Sequence, residues 1–481
     1  MIDIVSRFIT LWNDHQIIYC HWKGNNHLED AMIEKSDFDI LIDDNCSIQG
    51  CDLLEQAGFV HYKTQYGSRF PGIQDWIGVD EGTGTMVHIH LHQKMIAGHS
   101  GVMEYILPWN VLAFNTRTLD ESIGLYLINP SLELLLLYTR LGIEHSSKKM
   151  KRVQGSWELN DNTIKELSYL KERMEVGLVE SFSKELYPDC YEDLLKIIFC
   201  EDLTSNDISN LSFLTKKACS RWLRYNPLSV RFLLLYKKLE RMIYGRYGRY
   251  KWRIRKKVPI AGTGLSVAFL GQDGAGKTTV TKELIKWLNW KLDVRYVYLG
   301  SGENYFSLKK RFVKVIPPKG VFKYFRAVLG LLIQKDVAKS SYKNVIKAEK
   351  YVAQGGLVIY DRFPQTNFAG ICDGPKIRKK IRALFGKGFV SKLFAPMARK
   401  EEKYITKTVT HNPDVVFKLI LSPEESIRRK PQEKYEAVKQ KHEIIKALKF
   451  EHSDVYTIDA TMPFEEELVL IKNIIWQHIH K

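Results

Sequence analysis

Eight consecutive residues, Gly271-Gln272-Asp273-Gly274-Ala275-Gly276-Lys277-Thr278, restrict this chain more than any other stretch in it. A glycine, four residues, a second glycine, then lysine and a hydroxyl residue form a loop whose backbone N–H groups turn inward around phosphate oxygens. An apolar run from Leu265 to Leu270 enters the loop, and a helical pattern from Lys277 to about Asn289 leaves it. The loop is therefore expected to join a buried strand to a helix N-terminus, where the helix dipole favours an anion. In that setting Lys277 neutralises the β- and γ-phosphates of a nucleotide, Thr278 helps hold magnesium, and Thr279 extends the same loop.

The residues after the loop fit that reading. Apolar runs at Val294–Leu299, Leu357–Tyr360, Val415–Leu421 and Val455–Ile458 alternate with helical patterns. Such alternation predicts an α/β fold, a mostly parallel sheet with helices on both faces. The third strand runs from Gly356 into Asp361-Arg362-Phe363. Its C-terminal edge is where open parallel sheets bind ligands, so Asp361 is expected in a magnesium shell. Arg362 has the planar fork that can bridge donor and acceptor phosphates.

With these residues quoted, the stretch from about Leu265 to Lys481 resembles the thymidylate kinase group of P-loop kinases. The resemblance rests on Gln272 to Thr279, on Asp361-Arg362-Phe363, and on Asn412-Pro413-Asp414 running through Leu419 to Ser422-Pro423-Glu424-Glu425. Arg428-Arg429-Lys430 and Ile458-Asp459-Ala460 complete it. It implies a nucleoside monophosphate kinase-like fold, ATP as donor, Mg2+ as cofactor, and a mobile lid beginning at Arg428, Arg429 and Lys430. After the second strand that group carries Arg-Glu-Pro-Gly-Gly, whereas this chain has Tyr298-Leu299-Gly300-Ser301-Gly302-Glu303-Asn304. The layout, including Phe368 to Ile377, is closer to thymidylate-kinase-like proteins of bacterial surface-polysaccharide gene clusters. The implied acceptor is a small molecule: a nucleoside monophosphate, a sugar or a sugar phosphate.

Near the N-terminus, Lys23-Gly24-Asn25-Asn26 precedes Ser36-Asp37-Phe38-Asp39 and an apolar strand to Ile42. Acids two apart on a strand point the same way, so Asp37 and Asp39 are a candidate Mg2+ pair. The turn and the acid pair together resemble the nucleotidyltransferase fold, an α+β domain, in a branch with Lys-Gly at the turn. In that branch a later strand carries an Asp and then a His. Here the strand reads Met86-Val87-His88-Ile89-His90-Leu91-His92, with His92 at the His position and His90 where the third acid is expected. Loss of that carboxylate argues against full nucleotidyl transfer. His88, His90 and His92 share one strand face and are also candidate zinc ligands.

A chain of 481 residues is too long for one ordinary core. The pattern suggests a nucleotidyltransferase-like domain over 1–125, a helical region ending in a basic linker over 126–258, and a kinase-like domain over 259–481. Scattered cysteines and the absence of a leader pattern point to a cytoplasmic protein. The net charge of +17 favours anionic partners. Lys216 to Lys257 concentrates it, interleaved with Trp222, Phe232, Tyr236 and other aromatics. The plain reading is a helix with its apolar side on a core and solvated cations outside. The alternative is docking on an acidic membrane, peripherally at the inner face, with nucleic acid the weaker candidate. Two rivals to a kinase follow: a nucleotidyltransferase whose kinase-like half senses nucleotide, or a nucleotide-gated docking scaffold.

Overall fold

The computed structural model describes every residue except 63–71, 100–101, 145–149, 154–155, 248–262, 301–303, 318 and 481. The chain divides into two compact units, Met1–Arg249 and Tyr250–Lys481. Most of the Pro259–Gly264 linker, the basic residues 249–257 and Ser301 to Glu303 lie outside the described residues.

In the first unit the strands are β1 (Tyr19–His21), β2 (Phe38–Ile42), β3 (Val60–Tyr62), β4 (Ile73–Val79), β5 (Met86–His92), β6 (Met95–Ala97), β7 (Tyr105–Leu107), β8 (Thr118–Asp120) and β9 (Leu125–Leu127). Among the described residues they form a mixed sheet in the order β3-β4-β5-β2-β1-β9-β8, with β6 and β7 paired separately. β2 and β5 run parallel at its centre, placing Asp39 opposite His90, and β4 runs antiparallel to β5, placing Asp75 opposite the same histidine. Strict alternation along β5 sends Val87, Ile89 and Leu91 to one face and the three histidines to the other. The apolar face packs on the Asp3–Asp14 helix through Ile4, Val5, Phe8, Ile9 and Trp12. The three histidines of β5 are thus left on the opposite face.

The Pro130–Glu144 helix is buried along nearly its whole length, and the Asp161–Arg173, Val176–Leu186 and Ser205–Cys219 helices surround it. A hairpin, β10 (Met150–Val153) with β11 (Ser156–Leu159), interrupts the helical run read from Ser131 to Tyr244. The Pro227–Tyr247 helix departs from the plain reading of the basic stretch. Its Leu228, Phe232, Leu235, Leu239 and Met242, spaced alternately four and three apart, are exposed rather than packed on a core.

The second unit is built on β12 (Leu265–Gly271), β13 (Val294–Tyr298), β14 (Leu357–Asp361), β15 (Val415–Ile420) and β16 (Asp454–Asp459). Every neighbouring pair is parallel, in the order β13-β14-β12-β15-β16. The strands match the apolar runs in the sequence to within a residue or two. Phe269 on β12 lies opposite Asp361 on β14, so the loop after β12 and the acid ending β14 emerge at one edge. Ser266 donates through both its backbone N–H and its hydroxyl to Asp414, each at 2.7 Å, fixing where β15 begins beside β12. The result is a five-stranded parallel α/β sheet with the glycine loop after its central strand.

Candidate active site

The phosphate loop takes the shape its glycines allow. Gly274 and Gly276 have φ of +94° and +79°, left-handed values that an L side chain adopts only with strain. Gly276 then caps the Lys277–Leu288 helix, whose first N–H groups open onto the loop. Gln272 and Ala275 are buried, and the Gln272 amide donates to the Leu421 carbonyl, tying the loop to the end of β15. Thr278 and Thr279 are exposed. Lys277 folds back over the loop and donates to the carbonyls of Gly271 at 2.7 Å and Gln272 at 2.8 Å. Burial, with Arg362 nearby, lowers its pKa to about 8, so this ammonium sits where an anion would restore its charge.

Asp361 is buried at the end of β14 and accepts a hydrogen bond from the Tyr296 hydroxyl at 2.8 Å. Arg362 follows with φ of +72°. That left-handed turn aims its guanidinium along the sheet edge, 3.8 Å from Asp273 and 3.6 Å from Asp373. Two cavities meet here. One, of about 440 Å³, is lined by Gly274, Gly276, Lys277, Thr278, Thr279, Tyr298, Asp361, Arg429 and Lys430. The other, of about 310 Å³, is lined by Leu270, Ile371, Cys372, Ile445 and Leu448 with Lys376, Lys441 and Asp373. Asp273, Lys277 and Arg362 belong to both. The first has the character of a phosphate pocket; the second is a part-apolar pocket with two lysines at its wall.

The three cations at the start of the expected lid divide. Arg429 reaches the Gly274 carbonyl at 3.4 Å and the Ala460 carbonyl at 3.1 Å, and with Lys430 it lines the phosphate cavity. Arg428 points outward, exposed and paired with Glu425 through two bonds of 2.6 and 2.7 Å. The sequence did not single out Lys441. It bonds Asp273 at 2.5 Å from a helix 168 residues on, and holds that carboxyl below its ordinary pKa against the upward pull of burial.

In the first unit the structure gathers Asp37, Asp39, His88, His90 and His92 on one sheet face and adds two residues that the sequence did not point to. Asp75, on β4, accepts from His88 Nε2 at 3.1 Å and lies 3.3 Å from His90 Nε2. A carboxylate from the neighbouring strand thus stands beside His90, the position where the sequence lacks the third acid. Asp39 lies 3.0 Å from Lys23, 3.4 Å from His90 and 3.2 Å from His92. Burial opposes its charge, but Lys23 and the two imidazoles hold its pKa well below the carboxylate range. For His90 burial again works against charge, and the bonds to Asp39 and Asp75 raise it to about 9; for His92 burial prevails and lowers it to about 4. Glu133 is the second addition. Buried in the Pro130–Glu144 helix, it accepts from the backbone N–H of Asn25 at 3.2 Å and from its side-chain amide at 2.6 Å. That grip fixes the Lys23–Asn26 turn, where Gly24 has φ of +72°.

No protein-family model matches the chain. It is 27% identical over 221 residues to the uncharacterized ATP-binding protein YghR of Escherichia coli K12, spanning 42% of this chain and 83% of that protein. It is 24% identical over 219 residues to the uncharacterized ATP-binding protein YghS of the same strain, spanning 42% and 88%. Among solved structures it is similar to deoxyadenosine kinase from M. mycoides with products dCMP and a flexible dCDP bound, at 16% identity and a TM-score of 0.29, covering 44% of this chain and 98% of that one. The same kinase with dATP bound gives 17% identity and a TM-score of 0.27 with the same coverage.

Proposed function

We propose that the second unit is an ATP-dependent phosphotransferase that moves the γ-phosphoryl of Mg-ATP to a small acceptor. The observation that carries this reading is the pair of cavities meeting at Lys277, Arg362 and Asp273. A donor triphosphate in the loop would place its terminal phosphorus between these cations, and an acceptor in the second cavity would approach from the far side. Phosphoryl transfer is carried by positioning and charge neutralisation, and this arrangement offers both. Asp361 would hold the magnesium through its shell, with Thr278 beside it. Arg362 would bridge the two substrates and Arg429 and Lys430 would cover the donor phosphates. The names of the relatives, ATP-binding proteins, support the choice of donor.

Lys376 and Lys441 on the wall of the second cavity favour an anionic acceptor, a nucleoside monophosphate or a sugar phosphate, over a neutral sugar. The resemblance to proteins of surface-polysaccharide clusters suits either. An acceptor screen that follows ADP formation tests the proposal, with Lys277→Ala as control. Absence of ADP with every nucleoside monophosphate, sugar and sugar phosphate, or turnover unchanged in Lys277→Ala, overturns it. The exposed apolar stripe and the cations of the Pro227–Tyr247 helix support peripheral docking on an acidic membrane; salt-independent retention on anionic vesicles would count against that.

A further inference from the structure

The second site of the molecule lies in the first unit. We propose that Asp37, Asp39, His90 and His92, with His88 and Asp75 behind them, bind one divalent transition-metal ion of the zinc class. The nucleotidyltransferase resemblance implies magnesium held by oxygen; the donor set in the structure differs. Two groups of candidate ligands, Asp37 with His88 and His90, and Asp39 with His90 and His92, have their ligand atoms within 4.8 Å of one another and share His90. His90 Nδ1 is 3.4 Å from Asp39 Oδ1 and 3.8 Å from Asp37 Oδ2, and His92 Nε2 is 3.2 Å from the same Asp39 oxygen. Ligands bound tetrahedrally at about 2.1 Å lie roughly 3.4 Å from one another, so these atoms need little movement to close on an ion. Half of the donors are imidazole nitrogens, which suit zinc, iron, copper or nickel better than magnesium, an ion that keeps to oxygen and water.

The hydrogen-bond pattern points the same way. His88 meets carboxylates through both ring nitrogens, at 3.0 and 3.1 Å, and His90 does so at 3.4 and 3.3 Å. With His90 Nδ1 turned to an ion, its Nε2–H would remain for Asp75, an outer partner that sets the orientation of the ring.

Titration calorimetry of tag-free, chelator-treated chain with Zn2+, Mn2+ and Mg2+, together with the visible spectrum of the Co2+ form, tests the site. The expected result is one ion per chain, zinc or cobalt bound at least 100-fold more tightly than magnesium. His90→Gln and, separately, Asp39→Asn should each weaken binding by at least 100-fold, with circular dichroism unchanged. Tighter binding of magnesium, binding unaltered in both variants, or no binding by the folded chain overturns the assignment. A variant that fails to fold leaves the other to decide, and His15→Gln, at an exposed histidine just past the Asp3–Asp14 helix, serves as the neutral control.

A separate observation concerns the surface of the second unit. The start of the Gly320–Val352 helix and the helix-to-helix turn at 386–388 lie side by side: Tyr324 stacks on Phe385 at 5.8 Å and Phe385 on Phe394 at 5.2 Å. Around them Phe312, Val315, Val321, Phe322, Phe325, Phe389, Val390 and Leu393 face solvent, Val321 at 83% and Phe389 at 82% exposure. Residues 304–334 carry seven bases and no acid, and residues 376–400 carry nine bases and no acid. We infer that this tip docks on an acidic lipid bilayer. Like charge opposes a second copy, and apolar tips of phenylalanine, valine and leucine ringed by lysine suit insertion at an anionic lipid interface. Sedimentation with phosphatidylcholine vesicles, with and without phosphatidylglycerol, tests it. Retention is expected only on the anionic vesicles, and Phe322→Asp with Phe389→Asp should lower it about tenfold. Equal retention on neutral vesicles, loss only when Leu235→Asp is made in the Pro227–Tyr247 helix, or dimers that the double variant abolishes would each overturn it.

Discussion

Lys277 gives the sharpest quantitative test of the phosphate loop. Its ammonium is half-buried, bonded to two loop carbonyls, close to Arg362, and its pKa is lowered to about 8. Burial disfavours its charged form, so the free protein loses this charge as pH rises through 8; a bound triphosphate restores it by pulling the pKa well above 9. At a pKa of about 8 the ammonium is about half protonated at pH 8 and roughly one-tenth at pH 9. The affinity for ATP, whose phosphates are already fully ionised in this range, should therefore fall about fivefold from pH 8 to pH 9, ~1 kcal/mol. Binding at pH 9 should also take up about 0.9 proton. Titration calorimetry in two buffers of different ionisation enthalpy reads both quantities. Lys277→Met should bind ATP more weakly at every pH and show neither effect. Proton uptake at pH 9 that survives in Lys277→Met would refute the reasoning, because the proton would then belong to another group.

Four further outcomes follow from the geometry. Asp361→Asn should lower turnover about 10²–10³-fold, because the charge it would place near magnesium is lost, measured as ADP release. Arg362→Lys should cost about tenfold or more in turnover, since a point charge cannot bridge two phosphates as a planar fork does. Burial raises Glu133 to about 7, so the folded state holds its proton more tightly than the unfolded state. Stability from this group is full below about pH 4.5 and is lost as pH rises through 7, by up to about 3 kcal/mol; Glu133→Gln should flatten that slope in urea midpoints between pH 5 and 8. Phe8, fully buried with three aromatic rings edge-on to it, should cost about 3–5 kcal/mol when cut to alanine, read by the same denaturation.

The parts of the molecule legible in the sequence are those whose chemistry is local. The phosphate loop is eight adjacent residues, and Asp361-Arg362 closes a single apolar strand, so strand, loop and helix periods suffice to find them. The alternation in Met86–His92 likewise gave the histidine face. Residues that reach the sites across the fold left no local signal. Asp75 arrives through antiparallel pairing with His90, Glu133 from a helix whose pattern reads as pure core, and Lys441 from one of many basic helices. Each is a polar residue in an unremarked place, and only the pairing of distant elements gives it meaning. The exposed stripe on Pro227–Tyr247 was misread for the converse reason: helical period identifies an apolar side, but nothing in it says whether a core lies against that side.

The backbone at Arg362 carries one more implication. Its φ of +72° belongs to a region where an arginine is disfavoured by about 1–2 kcal/mol and a glycine is not. Part of that difference is offset by the greater freedom of glycine in the unfolded chain, about 0.5–1 kcal/mol. Arg362→Gly should then fold as well as the parent or slightly better, while losing transfer. On the proposed function, transfer and backbone strain ask for different residues at this position, and the chain carries the one that strain alone would not select. A screen for thermal tolerance blind to activity should drift toward glycine there, so position 362 serves as an internal gauge of which demand has shaped the protein.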